Sequence, residues 1–110
     1  MMQNDRAMIF VNGDLPGAPA LLHLLPQYNF FVAADGGLRH AITLGIHPHV
    51  LIGDLDSVTL EQVAEEVRLG VEIIQYPPEK DKTDLELALE LVVERGYNQV
   101  MLVGALGGRL

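Results

Sequence analysis

Five short apolar runs recur along the chain, at residues 7–11, 30–34, 50–52, 71–76 and 100–103. Each stops at a turn that contains glycine or proline. Within the runs the apolar residues are close to continuous rather than alternating. A strand can be apolar on both sides only if both faces of its sheet are covered, which is the condition of a parallel sheet. The segments between the runs read as helices. Residues 20–25 form a short one that ends near Pro26, and residues 38–44 a second, with Gly45 at its C-terminal cap and Pro48 just beyond. Thr59-Leu60-Glu61-Gln62 fits a capping box, so a third helix starts there and reaches about Arg68, with Gly70 closing it. Thr83 and Glu86 make a second box, Leu85, Ala88, Leu89 and Val92 share one face at helical spacing, and Gly96 ends that helix. Strand and helix in strict alternation predict an open, mostly parallel α/β sheet with right-handed crossovers and helices on both faces. At 110 residues, 49% of them hydrophobic, the chain has material for one core and one domain, residues 1–110.

The charged residues fall in a pattern relative to those strands. Asp14 and Asp35 follow the first and second, Asp54 and Asp56 the third, Asp81 and Asp84 the fourth, and Arg109 the fifth. In a parallel sheet all of these loops lie on one edge, where open α/β folds bind their ligands. The Leu51-Ile52-Gly53-Asp54-Leu55-Asp56-Ser57 stretch is the most informative. If the chain stays extended past Gly53, Asp54 and Asp56 point the same way. Neighbouring carboxylates repel unless a cation or a shared proton relieves them. An all-oxygen cluster suits a hard cation such as magnesium, which shares phosphate oxygens. The plainer alternative for this stretch is a polar turn that caps the next helix. Gly36-Gly37 and Gly107-Gly108 would let backbone approach a phosphate, or are ordinary tight turns. Asp84 has its own plain explanation as an acid in a helix's first turn.

Composition narrows the function classes. The formal net charge of -8 argues against a general nucleic-acid binder, which needs lysine and arginine. With no cysteine, there is no disulfide frame, thiolate nucleophile or cysteine-ligated zinc. No Gly-x-Gly-x-x-Gly or Walker-type Gly-Lys-Ser/Thr motif occurs. The four histidines, His23, His40, His47 and His49, lack metal-ligand spacing and read as surface or helix-end residues. No signal-like start and no apolar run of membrane-spanning length is present, so a cytoplasmic setting without membrane contact is expected.

Ala34-Asp35-Gly36-Gly37, Gly53-Asp54-Leu55-Asp56-Ser57, Lys80-Asp81-Lys82-Thr83-Asp84 and Gly104-Ala105-Leu106-Gly107-Gly108-Arg109 occur in the order and at about the spacing of the thiamine pyrophosphokinases. Over essentially its whole length the chain resembles the N-terminal nucleotide-binding domain of that family. The resemblance implies a Rossmann-like fold and Mg²⁺-dependent transfer of pyrophosphate from ATP to thiamine, giving thiamine diphosphate and AMP. It implies Asp54, Asp56 and Asp84 as catalytic and magnesium-site acids, with Asp35 and Asp81 as further members of the acidic group. Gly36, Gly37, Thr83, Gly107, Gly108 and Arg109 are implied on the nucleotide side. Members of the family continue with Asp-His after Gly-Gly-Arg-x and add a C-terminal β-sandwich, and their thiamine pocket draws on that domain and on a dimer partner. The chain is therefore expected to be truncated at its C-terminal end, to belong to a homodimer when full-length, and to be incomplete as an enzyme alone. Two other readings compete. Asp54-x-Asp56 matches the nucleophile motif of haloacid-dehalogenase-type phosphatases, and the acids could equally serve a non-catalytic nucleotide-binding module.

Overall fold

A computed structural model describes residues 5–15, 17–78 and 81–105. Five strands form one sheet: β1 Arg6–Phe10, β2 Phe30–Ala34, β3 Val50–Gly53, β4 Glu72–Gln75 and β5 Gln99–Val103. Every pairing is parallel, and the order across the sheet is β4-β3-β2-β1-β5. The expected α/β architecture is therefore present. The chain steps outward from β1 to β4, then returns across the sheet to lay β5 on the other side of β1. The direction reverses at the β1–β5 pair, and that junction is where open sheets of this kind leave a crevice.

Reversal of direction puts helices on opposite faces, because each crossover keeps the same hand. Helix α4, Asp84–Glu94, makes the return crossover and, among the described residues, lies alone on one face. Its Leu87, Ala88, Leu91 and Val92 are buried against Ala7, Ile9, Val32, Ala34, Val50 and Ile52. The intervening residues point to the other face. Met8 and Phe10 meet Leu21 of α1 (Ala18–Leu24) and Ala41 of α2 (Leu38–Thr43). Ala33 and Leu51 meet Leu38 and Val71, with Val63 of α3 (Leu60–Arg68) packed alongside. Continuous apolar strands are thus explained by two covered faces.

Both capping boxes form. The Thr59 hydroxyl accepts the Gln62 N–H at 3.0 Å, and the Thr83 hydroxyl accepts the Glu86 N–H at 3.1 Å. The reciprocal bonds return to the Thr59 and Thr83 amides. Two boundaries differ from expectation. The first helix starts earlier, at Ala18, but ends near Pro26 as expected, at Leu24, where the chain tightens into a 3₁₀ turn, Leu25–Gln27, that contains the proline. A proline near the start of such a turn loses no hydrogen bond that the turn requires. The second helix is entered through another 3₁₀ turn, Asp35–Gly37.

Histidine positions are mixed. His40 sits in the last turn of α2 as expected, but it is 2% exposed, so it is no surface residue. His49 accepts the Phe31 N–H on Nδ1 at 3.0 Å, and His47 Nδ1 lies 3.1 Å from both oxygens of the buried Glu66. Among the described residues no helix is long and apolar enough to cross a membrane.

Close packing at Gly37 generates a stability prediction. A Cβ built there would stand 1.9 Å from the Phe10 carbonyl oxygen, a contact only backbone movement could relieve. Gly37→Ala is expected to cost about 3 kcal/mol as an overpacking change. Thr59→Ala removes one cap and is expected to cost about 1 kcal/mol. Urea unfolding of the two variants should rank them in that order.

Candidate functional site

The C-terminal edge of the sheet gathers carboxylates from three separate elements. Asp35 opens the turn after β2, Asp54 follows β3, and Asp84 is the first residue of α4. Each offers an oxygen, and these oxygens lie within 4.8 Å of one another. Asp35 is buried, while Asp54 and Asp84 are partly so. What lets them converge is Gly53, which has φ +132° and lies directly under the Asp84 carboxylate: a Cβ there would be 2.8 Å from Asp84 Oδ1. Any larger residue would have both a strained backbone and an obstructed neighbour.

One member of the cluster and one residue beside it hold left-handed backbone conformations, Asp35 with φ 48° and Leu55 with φ 63°. Aspartate tolerates this region, but a leucine there is unusual. Conformations of this kind cost on the order of 1–3 kcal/mol each and persist where surrounding structure imposes them. Leu55 explains one departure from expectation. The chain does not stay extended past Gly53, so Asp54 and Asp56 do not follow strand alternation. The turn at Leu55 brings the Asp56 N–H back to Asp54 Oδ1 at 3.3 Å. Asp56 is exposed and lies outside the group of three, and Asp35 stands in that group instead. Asp56 nevertheless borders the group, because its carboxyl shares a hydrogen bond with that of Asp35.

Asp35 has the most perturbed acidity. Burial pushes its carboxyl up from 3.8 to about 7, and hydrogen bonds shared with the Asp56 and Asp54 carboxyls act in the same direction. The Ser57 N–H, donating to Asp35 Oδ1 at 3.1 Å, opposes them. A proton on Asp35 thus relieves crowding that a divalent cation would relieve better. The donor set is entirely carboxylate oxygen, drawn from rigid strand ends and a helix start. That chemistry fits a hard cation such as Mg²⁺ and not a soft one.

The remaining expected residues are placed as follows. Gly36 and Gly37 are buried, Gly36 beneath the Asn12 side chain and Gly37 against the β1 backbone, so their first role is close packing. The Thr83 hydroxyl is engaged as the α4 cap. Asp81 is exposed and lines a surface hollow with Tyr76, Lys82, Leu87 and Glu90, and it is not in the carboxylate group. Asp14 is exposed and also outside that group. Lys80, Gly107, Gly108 and Arg109 lie outside the described residues.

Asn12, Arg39 and His40, to which the sequence patterns gave no role in a site, also sit at this edge. Arg39 Nε donates to Asn12 Oδ1 at 2.7 Å, and its Nη2 donates to the Gly13 carbonyl at 3.3 Å. His40 Nε2 is 2.5 Å from the same carbonyl, which it reaches as an N–H donor. Together they fasten the loop after β1 to α2. One signal was available for Arg39. It stands in the first turn of a helix, where the backbone dipole disfavours a cation.

Comparison with known proteins points in one direction. The family described as thiamin pyrophosphokinase, catalytic domain, matches residues 21–110. Thiamine pyrophosphokinase of Bacillus subtilis (strain 168) is 30% identical over 91 residues, which cover 83% of this chain and 42% of that protein. Thiamine pyrophosphokinase 1 of Oryza sativa subsp. japonica is 27% identical over 124 residues, covering 94% of this chain and 46% of that one. A solved thiamin pyrophosphokinase family protein from Enterococcus faecalis superposes with a TM-score of 0.75 at 28% identity, covering 94% of this chain and 48% of that chain. The chain spans just under half the length of each of these relatives. The match does not favour the phosphatase alternative for Asp54 and Asp56.

Asp35 makes the site's electrostatics measurable without any ligand. Its folded pKa of about 7 exceeds its ordinary value of 3.8, so the folded state holds the proton more tightly than the unfolded chain. The contribution to stability is full below about pH 4 and is lost as pH rises through about 7. In metal-free buffer, Asp35→Asn should flatten the fall in stability across that window. Denaturation midpoints at closely spaced pH values would show it, and an unchanged slope would refute the assignment.

Proposed function

This chain belongs to the thiamine pyrophosphokinase family, and we propose that it is that family's catalytic α/β domain, a single domain over residues 1–110 that binds ATP with Mg²⁺. In the whole protein, pyrophosphate passes from ATP to the hydroxyl of thiamine, giving thiamine diphosphate and AMP. The observation that supports this most directly is the meeting of Asp35, Asp54 and Asp84 at the edge where a parallel sheet binds nucleotides.

Residue roles follow from position. Asp35, Asp54 and Asp84 would hold Mg²⁺, with Asp54 and Asp84 placed by rigid elements on either side of Gly53. When bound, the ion offsets charge on the phosphate oxygens of the triphosphate. Asp56 stands just outside the three, exposed and in contact with Asp35, so it is the carboxylate left to accept the proton of the attacking hydroxyl. Gly36 and Gly37 shape the floor by admitting close packing, and Thr83 fixes the start of α4 and with it Asp84. Gly107, Gly108, Arg109 and Asp81 are proposed on the nucleotide side from the family motifs alone. The same reading takes the whole protein to be a cytoplasmic homodimer with no nucleic-acid partner.

Two measurements test the proposal. Calorimetric titration with ATP should show binding that requires Mg²⁺, and Asp54→Asn should weaken it about tenfold or more, as expected when a group paired with a charge is lost. The intact protein given ATP, thiamine and Mg²⁺ should release AMP and thiamine diphosphate together, and Asp56→Asn should lower kcat far more than it raises KM. ATP binding that is indifferent to Mg²⁺, or AMP release without thiamine diphosphate, would count against the reading.

A further inference from the structure

The three-carboxylate site has an electrostatic problem on its anionic side. A triphosphate brings several negative charges to an edge already built from acids, in a chain of net charge -8. One divalent ion does not offset all of that charge, so fixed cations at the same edge are needed. Among the described residues most basic side chains are committed or misplaced. Arg68 is paired with Glu65, Lys82 with Glu90 and Arg95 with Glu72. Arg6 starts β1, at the opposite edge of the sheet.

Arg39 is different on both counts. It projects from the first turn of α2, at the edge that holds the acids. Its hydrogen bonds go to neutral acceptors, the Asn12 side-chain oxygen and the Gly13 carbonyl, and its side chain is exposed. The charge is therefore held in place without being cancelled. A guanidinium has five N–H donors in a planar fork, and these bonds leave several of them directed elsewhere. Its neighbours connect it to the metal site. Asn12 lies over Gly36, whose ideal Cβ would be 2.6 Å from Asn12 Cγ, and Gly36 follows Asp35 directly. Asn12 and Gly13 themselves form the loop after β1, beside the β1–β5 junction where the strand order reverses.

We propose that Arg39 is an anion-contacting residue of this site, a guanidinium pre-set by Asn12 and Gly13 to receive phosphate oxygens of the bound nucleotide. The assignment rests on the nucleotide-binding reading above and adds to it a residue that none of the four sequence motifs was taken to supply. Asn12 is then a positioning residue, acting through Arg39.

The test separates charge from scaffolding. Calorimetry on the intact protein compares Mg²⁺-ATP, Mg²⁺-tripolyphosphate and adenosine as ligands for the natural sequence, Arg39→Gln and Asn12→Ala. Arg39→Gln should weaken both phosphate ligands about tenfold or more, as loss of a charge-assisted contact does. It should leave adenosine affinity unchanged and steepen no thermal transition, and Asn12→Ala should give a smaller loss of the same kind. Full retention of tripolyphosphate affinity in Arg39→Gln would overturn the assignment while leaving nucleotide binding intact. So would an equal loss for adenosine, or an equal loss in Asn12→Ala, since either would mean that Arg39 merely ties down the loop. Failure of the natural sequence to bind Mg²⁺-ATP would overturn the nucleotide reading and this assignment together, whereas binding of Mg²⁺-ATP without any binding of Mg²⁺-tripolyphosphate would overturn this assignment alone.

Discussion

Mutual repulsion among Asp35, Asp54 and Asp84 is the interaction around which this fold is best understood. Carboxylates whose oxygens lie within 4.8 Å of one another do not stay together by preference. They are held by covalent continuity with elements that are stable for other reasons. Asp54 extends a strand whose four residues are all buried, and Asp35 extends β2, which is buried at four of its five residues. Asp84 is committed by a capping box and by the buried face of α4. Burial of apolar strand and helix surface thus maintains an arrangement that the acids alone would abandon. Asp35 carries a mark of that placement: burial first, and then hydrogen bonds shared with the Asp56 and Asp54 carboxyls, push its pKa up.

The local backbone shows the same tension. Left-handed conformations occur at Asp35, one of the acids, and at Leu55 beside them. That at Leu55 is not explained by turn preference, since leucine gains nothing from that region. Their effect is to aim side chains. Leu55 turns Asp56 out of the carboxylate group and toward solvent. A fold that kept the strand straight would place Asp54 and Asp56 on the same side and leave less distinction between them.

Much of the architecture was legible from residues alone, and the reasons are local. Strand runs such as residues 30–34 and helix starts such as Thr59 and Thr83 declare themselves through patterns a few residues long, and the structure places elements there. That a common edge would collect acids followed from parallel pairing. Which acids would touch did not follow. The exchange of Asp56 for Asp35 depends on a single φ angle at Leu55 and on the turn at Asp35, and no periodicity records either. Gly36-Gly37 read as a phosphate approach or a tight turn, but the glycines are needed because Phe10 and Asn12 press against them. Arg39 drew no attention because its partners are 26 and 27 residues away.

The return crossover has a consequence in time. Among the described residues α4 is the one α-helix on its face of the sheet, and its first residue is also the third carboxylate. During synthesis the first four strands and the helices of the opposite face emerge earlier, with one side of the sheet still bare. Docking of α4 covers that side and delivers Asp84 in the same movement. A ribosome-bound chain short of this helix would have two of the acids and no closed cluster, so competence for a cation would arrive together with the second half of the core.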